Sequence, residues 1–172
     1  YMARSLEASE SLIKKIALRS VEQDKPDLLA DLVDDRRALD GRDDDWFGVQ
    51  GQSLGVDDLV EINRTYRQDS FSAEYKLGTS ENFLYLFVKV LDDVVIYREI
   101  NNPSVHRNDN LQIAVVNPDG EYRRYTIAAF QPTSTKAHQV SSSGRSLRQE
   151  ELIEAVWLGT ESGYNLELKI PL

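Results

Sequence analysis

Two histidines, His106 and His138, are the only side chains in this sequence whose ordinary pKa, about 6.5, puts a change of charge near neutrality. Imidazole can sense acidification or bind a metal, although a histidine in a polar loop is more commonly just solvated. Both stand in polar stretches. Around His106, the residues Tyr97, Arg98, Asn101, Asn102 and Arg107 bring an aromatic ring, amides and guanidinium groups into one segment, with Arg123 and Arg124 further along. Guanidinium offers planar, bidentate recognition of a carboxylate or phosphate. The candidate ligand-binding set is therefore Tyr97, Arg98, Asn102, His106, Arg107 and Arg124, for a small molecule or glycan. Asp40, Asp43, Asp44 and Asp45 offer the hard oxygens that calcium prefers, but their spacing does not fit an EF-hand loop, and turn capping is their simpler use. Calcium is the one cofactor these residues suggest. Ser141-Ser142-Ser143-Gly144 reads as linker rather than as a nucleophile loop, and no hydrolase elbow, metalloprotease helix, phosphate loop or dinucleotide fingerprint is present. No catalytic residue is nominated, and the domain is not expected to be an enzyme.

Composition sets the context for these groups. A formal net charge of −9 and a pI near 4.7 argue against binding nucleic-acid backbones, because a general negative field repels phosphate. With no cysteine, disulfides and thiolate metal sites are excluded. No apolar run is long enough for a membrane span. A length of 172 residues suits one domain with an appendage.

The elements that must position the candidates change character along the chain. From about Arg4 to Gln23, Leu6, Leu12, Ile13, Ile16, Ala17 and Val21 fall on one stripe, which predicts an amphipathic helix. Lys25 to Val33, with Pro26 in the first turn, reads as a second short helix. Nine aspartates between Asp24 and Asp45 mark a boundary, so residues 1–36 form a helical segment and 37–172 the main domain. Beyond it the apolar period becomes two. Strands are predicted at Phe71–Leu77, Phe83–Val90, Leu111–Val115, Tyr122–Phe130, Leu152–Leu158 and Tyr164–Ile170, with turns at Gly78–Asn82, Asn117–Gly120 and Thr160–Gly163. Phe83–Val90 is apolar on both faces and should be a central, doubly covered strand. Hairpins at this density imply a mainly β protein, an antiparallel β-sandwich preceded by an N-terminal amphipathic helix. Tyr97–Asn108 and Gln131–Gln149 carry no core pattern and should be loops that do the binding.

Four pieces in order resemble one family. Leu39-Asp40-Gly41 with Asp44-Asp45-Trp46, the hairpin from Phe71 to Asp93, the strand Asn108–Ile113 and the segment Gly163–Leu172 are similar to the successive signatures of carbohydrate-binding module family 9 domains. The resemblance implies a sandwich over residues 39–172 that normally continues past its Ile-Pro-Leu element, so the C-terminus is expected to be incomplete. It also implies sugar binding between two tryptophans. One would precede Asn108, where this chain has Ser104-Val105-His106, and the other would follow residue 172, so neither clamp residue is visible. Trp46 and Trp157 are expected in the core.

The charged front helix is similar to the segment after the first membrane span of many sensor histidine kinases, and helix plus sandwich resembles the periplasmic sensor region of a sortase-system kinase. That implies an extracytoplasmic, periplasmic sensing domain of an inner-membrane protein, tethered to the membrane in its full-length form. Its partner would be a small molecule, a glycan or a cell-envelope protein, with dimerisation possible through the helix. The alternative is a carbohydrate-binding module of a secreted or cell-surface enzyme.

Overall fold

The computed structural model describes residues 29–54, 71–98, 108–116, 119–131, 134–140 and 147–172. The amphipathic helix expected over residues 4–23 lies outside them. Among the described residues there are ten strands: β1 (Asp31–Leu32), β2 (Gly51–Leu54), β3 (Phe71–Thr79), β4 (Phe83–Asp92), β5 (Leu111–Val116), β6 (Tyr122–Gln131), β7 (Ser134–Val140), β8 (Leu147–Glu150), β9 (Glu154–Thr160) and β10 (Gly163–Pro171). One sheet runs β3-β4-β10-β9, with β1 and β2 both added along the outer edge of β3; the other runs β5-β6-β7-β8. All pairings are antiparallel except β1 with β3.

The second short helix expected over residues 25–33 is corrected where it can be seen. Leu29 and Ala30 are irregular, Asp31–Leu32 is strand, and the Val33 amide donates to the Thr79 carbonyl. The free edge of β3 supplies backbone partners that outweigh the modest local helix preference of the Leu-Leu-Ala run. A second correction concerns Gln131–Gln149, read as a loop, which holds β7 and β8. Among the described side chains of β7, Ala137 alone is buried in the core, so the segment lacks the apolar alternation that would reveal a strand.

The core lies between the sheets. From the first come Ala73, Leu86, Val88, Val90, Trp157, Leu166, Leu168 and Ile170; from the second, Tyr125, Ile127, Ala129 and Ala137. Each fully buried aliphatic side chain contributes about 1.5–3 kcal/mol relative to exposure, so the alternation in β4, β6 and β10 supplies most of the drive to pair the sheets. Trp157 stacks on Tyr164 at 3.8 Å. Tyr164 is pushed well above the usual tyrosine pKa, first by burial and then by the charges of Asp109 and Asp92.

As expected, β4 is buried on both faces. Its outward Tyr85 and Phe87 form a second cluster with Trp46, roofed by Val33, Leu39 and Val49. Glu167 on β10 belongs to this covered face. It is fully buried: Oε2 accepts the amides of Asp40 (3.0 Å) and Gly41 (2.9 Å), and Oε1 accepts Trp46 Nε1–H at 2.9 Å. This carboxylate clips the aspartate-rich segment onto the sheet. Burial nevertheless raises its pKa, with the three donors opposing the shift in part. Gly41 is required at the clip, since its φ is +76° and a Cβ there would sit 2.7 Å from Leu158 Cβ.

Candidate functional site

Strand register assembles the candidate site on the outer face of the four-stranded sheet. Tyr125, Ile127 and Ala129 point into the core, so Arg124, Thr126, Ala128 and Phe130 point away from it. Gln112 pairs with Thr126, Thr126 with His138, and His138 with Gln149. These four polar residues make a transverse row, one from each strand, spanning about 14 Å at the usual inter-strand spacing. Arg124 lies in the next row between Ala114 and Val140, and Lys136 flanks the row on the other side opposite Ala128.

Phe130 is the aromatic hub. The Arg98 guanidinium lies 5.5 Å from its ring centroid, Lys136 Nζ 5.9 Å, and the His138 ring 6.0 Å. Arg98, only 7% exposed, is anchored by its own amide, which donates to the Ala129 carbonyl. The approach to Arg98 is fixed by Asp109, whose amide donates to the Ile96 carbonyl while its carboxylate accepts the Ile96 amide.

The floor of this face holds polar atoms that the described residues do not satisfy. Thr126 is fully buried, and its Oγ1 has no hydrogen-bond partner among the described residues; the same holds for His138 Nδ1. A buried hydroxyl without a partner costs about 1–3 kcal/mol, and this cross-strand pair of such atoms forms a polar floor beside the exposed Gln112, Lys136 and Gln149. His138 is held below the usual histidine pKa, first by desolvation and then by the charges of Arg98 and Lys136, with the Lys136 carbonyl pulling weakly the other way. It is therefore neutral at pH 7. A neutral imidazole, a hydroxyl, two glutamine amides and flanking cations form a set suited to binding hydroxyl and anionic groups. They contain no nucleophile paired with a base.

Of the residues singled out in the sequence, the structure brings Arg98 and Arg124 to this face. Tyr97 packs against the main core, close to Gly159 of β9. Asn102, His106 and Arg107 lie outside the described residues. Lys136, Thr126, Gln112 and Gln149 were missed, because nothing local marks them; only the pairing register sets them in one row. The aspartates near Asp40 do not converge: the Asp40 carboxylate caps the amide of Arg42, Asp43 pairs with Lys76, and Asp45 pairs with Arg37. Among the described residues, no three acidic or histidine side chains are grouped to hold a metal. Among the described residues, two clefts open elsewhere, one of about 560 Å³ between Arg37–Leu39 and β9, one of about 350 Å³ beside Tyr122 and Arg148. The outer face carries two of the unpartnered buried atoms, Thr126 Oγ1 and His138 Nδ1, in adjacent positions beside the exposed Gln112, Lys136 and Gln149, while others, Arg37 Nη1 at the larger cleft among them, lie apart; the candidate site is placed on that face.

The family model for carbohydrate family 9 binding domain-like sequences matches residues 39–172. Two solved structures resemble this fold, both of a carbohydrate binding module family 9 from Caldicellulosiruptor kristjanssonii, one in complex with cellotriose and one with glucose. Each is 17% identical; the TM-scores are 0.54 and 0.52, over 84% of this chain and 67% and 68% of theirs. At that identity it is the fold that is shared. No curated protein matches the sequence. Domains of this family are binding modules rather than catalysts. On the match over most of its length, the chain belongs to the carbohydrate family 9 binding domain-like family.

Proposed function

We propose that this chain is the extracytoplasmic ligand-sensing domain of a membrane-bound sensor histidine kinase, and that it reads a glycan or related polyhydroxylated ligand on the outer face of the β5-β6-β7-β8 sheet. The observation that carries the ligand reading is the row Gln112, Thr126, His138 and Gln149, in which exposed amides and a half-buried imidazole stand over a buried hydroxyl. Support for the sensor reading comes from the sequence: the amphipathic pattern of residues 6–21 is similar to the segment that follows the first membrane span of such kinases. Ligand binding would shift the balance between two arrangements of that segment, and a signal needs such a differential. Cysteine crosslinking along residues 6–21 in the intact receptor tests this. Crosslink patterns that differ between active and inactive receptor are expected, and identical patterns would contradict it.

The alternative, a carbohydrate-binding module of a secreted enzyme, is favoured by one observation: the solved structures that share the fold are described with cellotriose and glucose. The reading frame around this chain separates the two. Membrane spans and a kinase core support the sensor, and a neighbouring glycosidase supports the module.

A further inference from the structure

Two of the described aromatic rings belong to the outer face of the β5-β6-β7-β8 sheet. Phe130 is half-buried and hemmed in by Arg98, Lys136 and His138. Tyr122, which also borders the smaller cleft, is the opposite case: it lies 66% exposed at the start of β6, paired with Val116, itself exposed. Both tryptophans are buried, Trp46 under residues 33–49 and Trp157 in the main core, so neither offers a ring face to a ligand.

Register fixes what lies between Tyr122 and the polar row. One step in from the Val116–Tyr122 pair comes the row Ala114, Arg124, Val140 and Leu147, and one step further comes Gln112, Thr126, His138 and Gln149. At about 3.4 Å per residue, the four residues from Tyr122 to Thr126 span about 14 Å. Along β5 the intervening side chain on this face is Ala114, small and exposed, so the path from Tyr122 to the exposed Gln112 amide is low. Arg124, half-buried on β6, borders that path as a hydrogen-bond donor.

A pyranose presents an apolar C–H face and a rim of hydroxyls. An exposed aromatic ring takes the first and leaves the second free for polar partners, and tyrosine joins a rigid apolar body to a polar tip. From the exposed ring and the low path beside it, we infer that Tyr122 is a second sugar subsite and that the ligand is an extended β-linked glycan of several rings. One ring meets the exposed amides of Gln112 and Gln149, a later one stacks on Tyr122, and the chain between them passes over Ala114 beside Arg124. A single sugar is too short to reach both. A chain that coils would leave the line of the strand. This rests on the ligand reading above and deepens it, adding a stacking residue and a dependence on chain length.

The test measures glucose, cellotriose and cellohexaose on the full chain by calorimetry. Cellohexaose is expected to bind about tenfold more tightly than glucose, the gain that packing on one aromatic ring supplies. Tyr122→Ala should remove that gain, so that cellohexaose binds no more tightly than glucose does. Tyr122→Phe should keep most of it, since the ring and not the hydroxyl makes the contact. With the side chain this exposed, neither substitution threatens the fold. Affinity that does not rise with chain length, or a rise that survives Tyr122→Ala, would overturn the subsite while leaving the ligand reading standing. Failure of the native chain to bind any of the three probes would overturn both.

Discussion

Replacing Glu167 is the perturbation whose cost can be worked out most fully. The carboxylate is fully buried and accepts three donors at 2.9–3.0 Å, two of them backbone amides with no other partner among the described residues. Glu167→Ala leaves those donors orphaned, each at about 1–3 kcal/mol before relaxation. Because they share one acceptor the losses will not add fully, and we expect about 3–5 kcal/mol in total, the range found when one member of a buried charged network is removed. For a domain with about 5–15 kcal/mol of stability, that is a large fraction. Glu167→Gln keeps one carbonyl oxygen but turns an NH2 toward either the indole or the two amides, for about 1–3 kcal/mol. Trp46→Phe removes only the indole donor and should cost a similar amount. Urea unfolding followed by tryptophan fluorescence or circular dichroism measures each. In the double mutant the Glu167→Ala and Trp46→Phe losses should sum to less than their total, since they share a bond. A Glu167→Ala loss under about 1 kcal/mol, or full additivity, would refute the view that this carboxylate clips residues 40–46 to the sheet. The pH dependence has a definite sign. Burial raises the folded pKa above the unfolded one, so this group favours the fold at low pH and its contribution is lost as pH rises through the folded pKa.

Three further outcomes are expected. Thr126→Val removes a buried hydroxyl without changing shape, so it should leave the domain as stable as before or up to about 1–2 kcal/mol more stable; urea midpoints read the difference. Gly163→Ala should destabilise severely, because φ is +146° and a Cβ there would lie 2.2 Å from the Val90 carbonyl oxygen, a clash with backbone that cannot move aside cheaply; thermal unfolding reads the loss. His138 has a folded pKa below its unfolded value near 6.5, so its contribution to stability is present above that value and lost as pH falls toward the folded pKa; urea midpoints at pH 7 and 5 should differ less in His138→Gln than in the native chain.

Much of the fold is legible because burial leaves a period. In β3, β4, β6 and β10 the inward residues alternate, and β4 betrays its central place by being apolar on both faces. Where burial is one residue deep, the signal vanishes: β7 contributes Ala137 alone, and its polar neighbours made it look like a loop. Glu167 illustrates a different limit. By alternation it belongs to a solvent face, yet residues 33–49 fold back over that face and bury it. The candidate site was legible only in part. Arg98 and Arg124 stand out by their chemistry, but Tyr97 and Arg98, adjacent in sequence, go to different places. The row formed by residues 112, 126, 138 and 149 exists only through strand pairing, which a linear pattern does not specify.

The most direct test of the central claim is to map binding on the folded chain by two-dimensional 15N NMR during titration with cellotriose and glucose. Saturable shift changes clustered at Gln112, Arg124, Thr126, Lys136 and His138 are predicted. Saturable changes centred instead on the cleft between Arg37–Leu39 and β9, with that outer-face row unmoved, would contradict it.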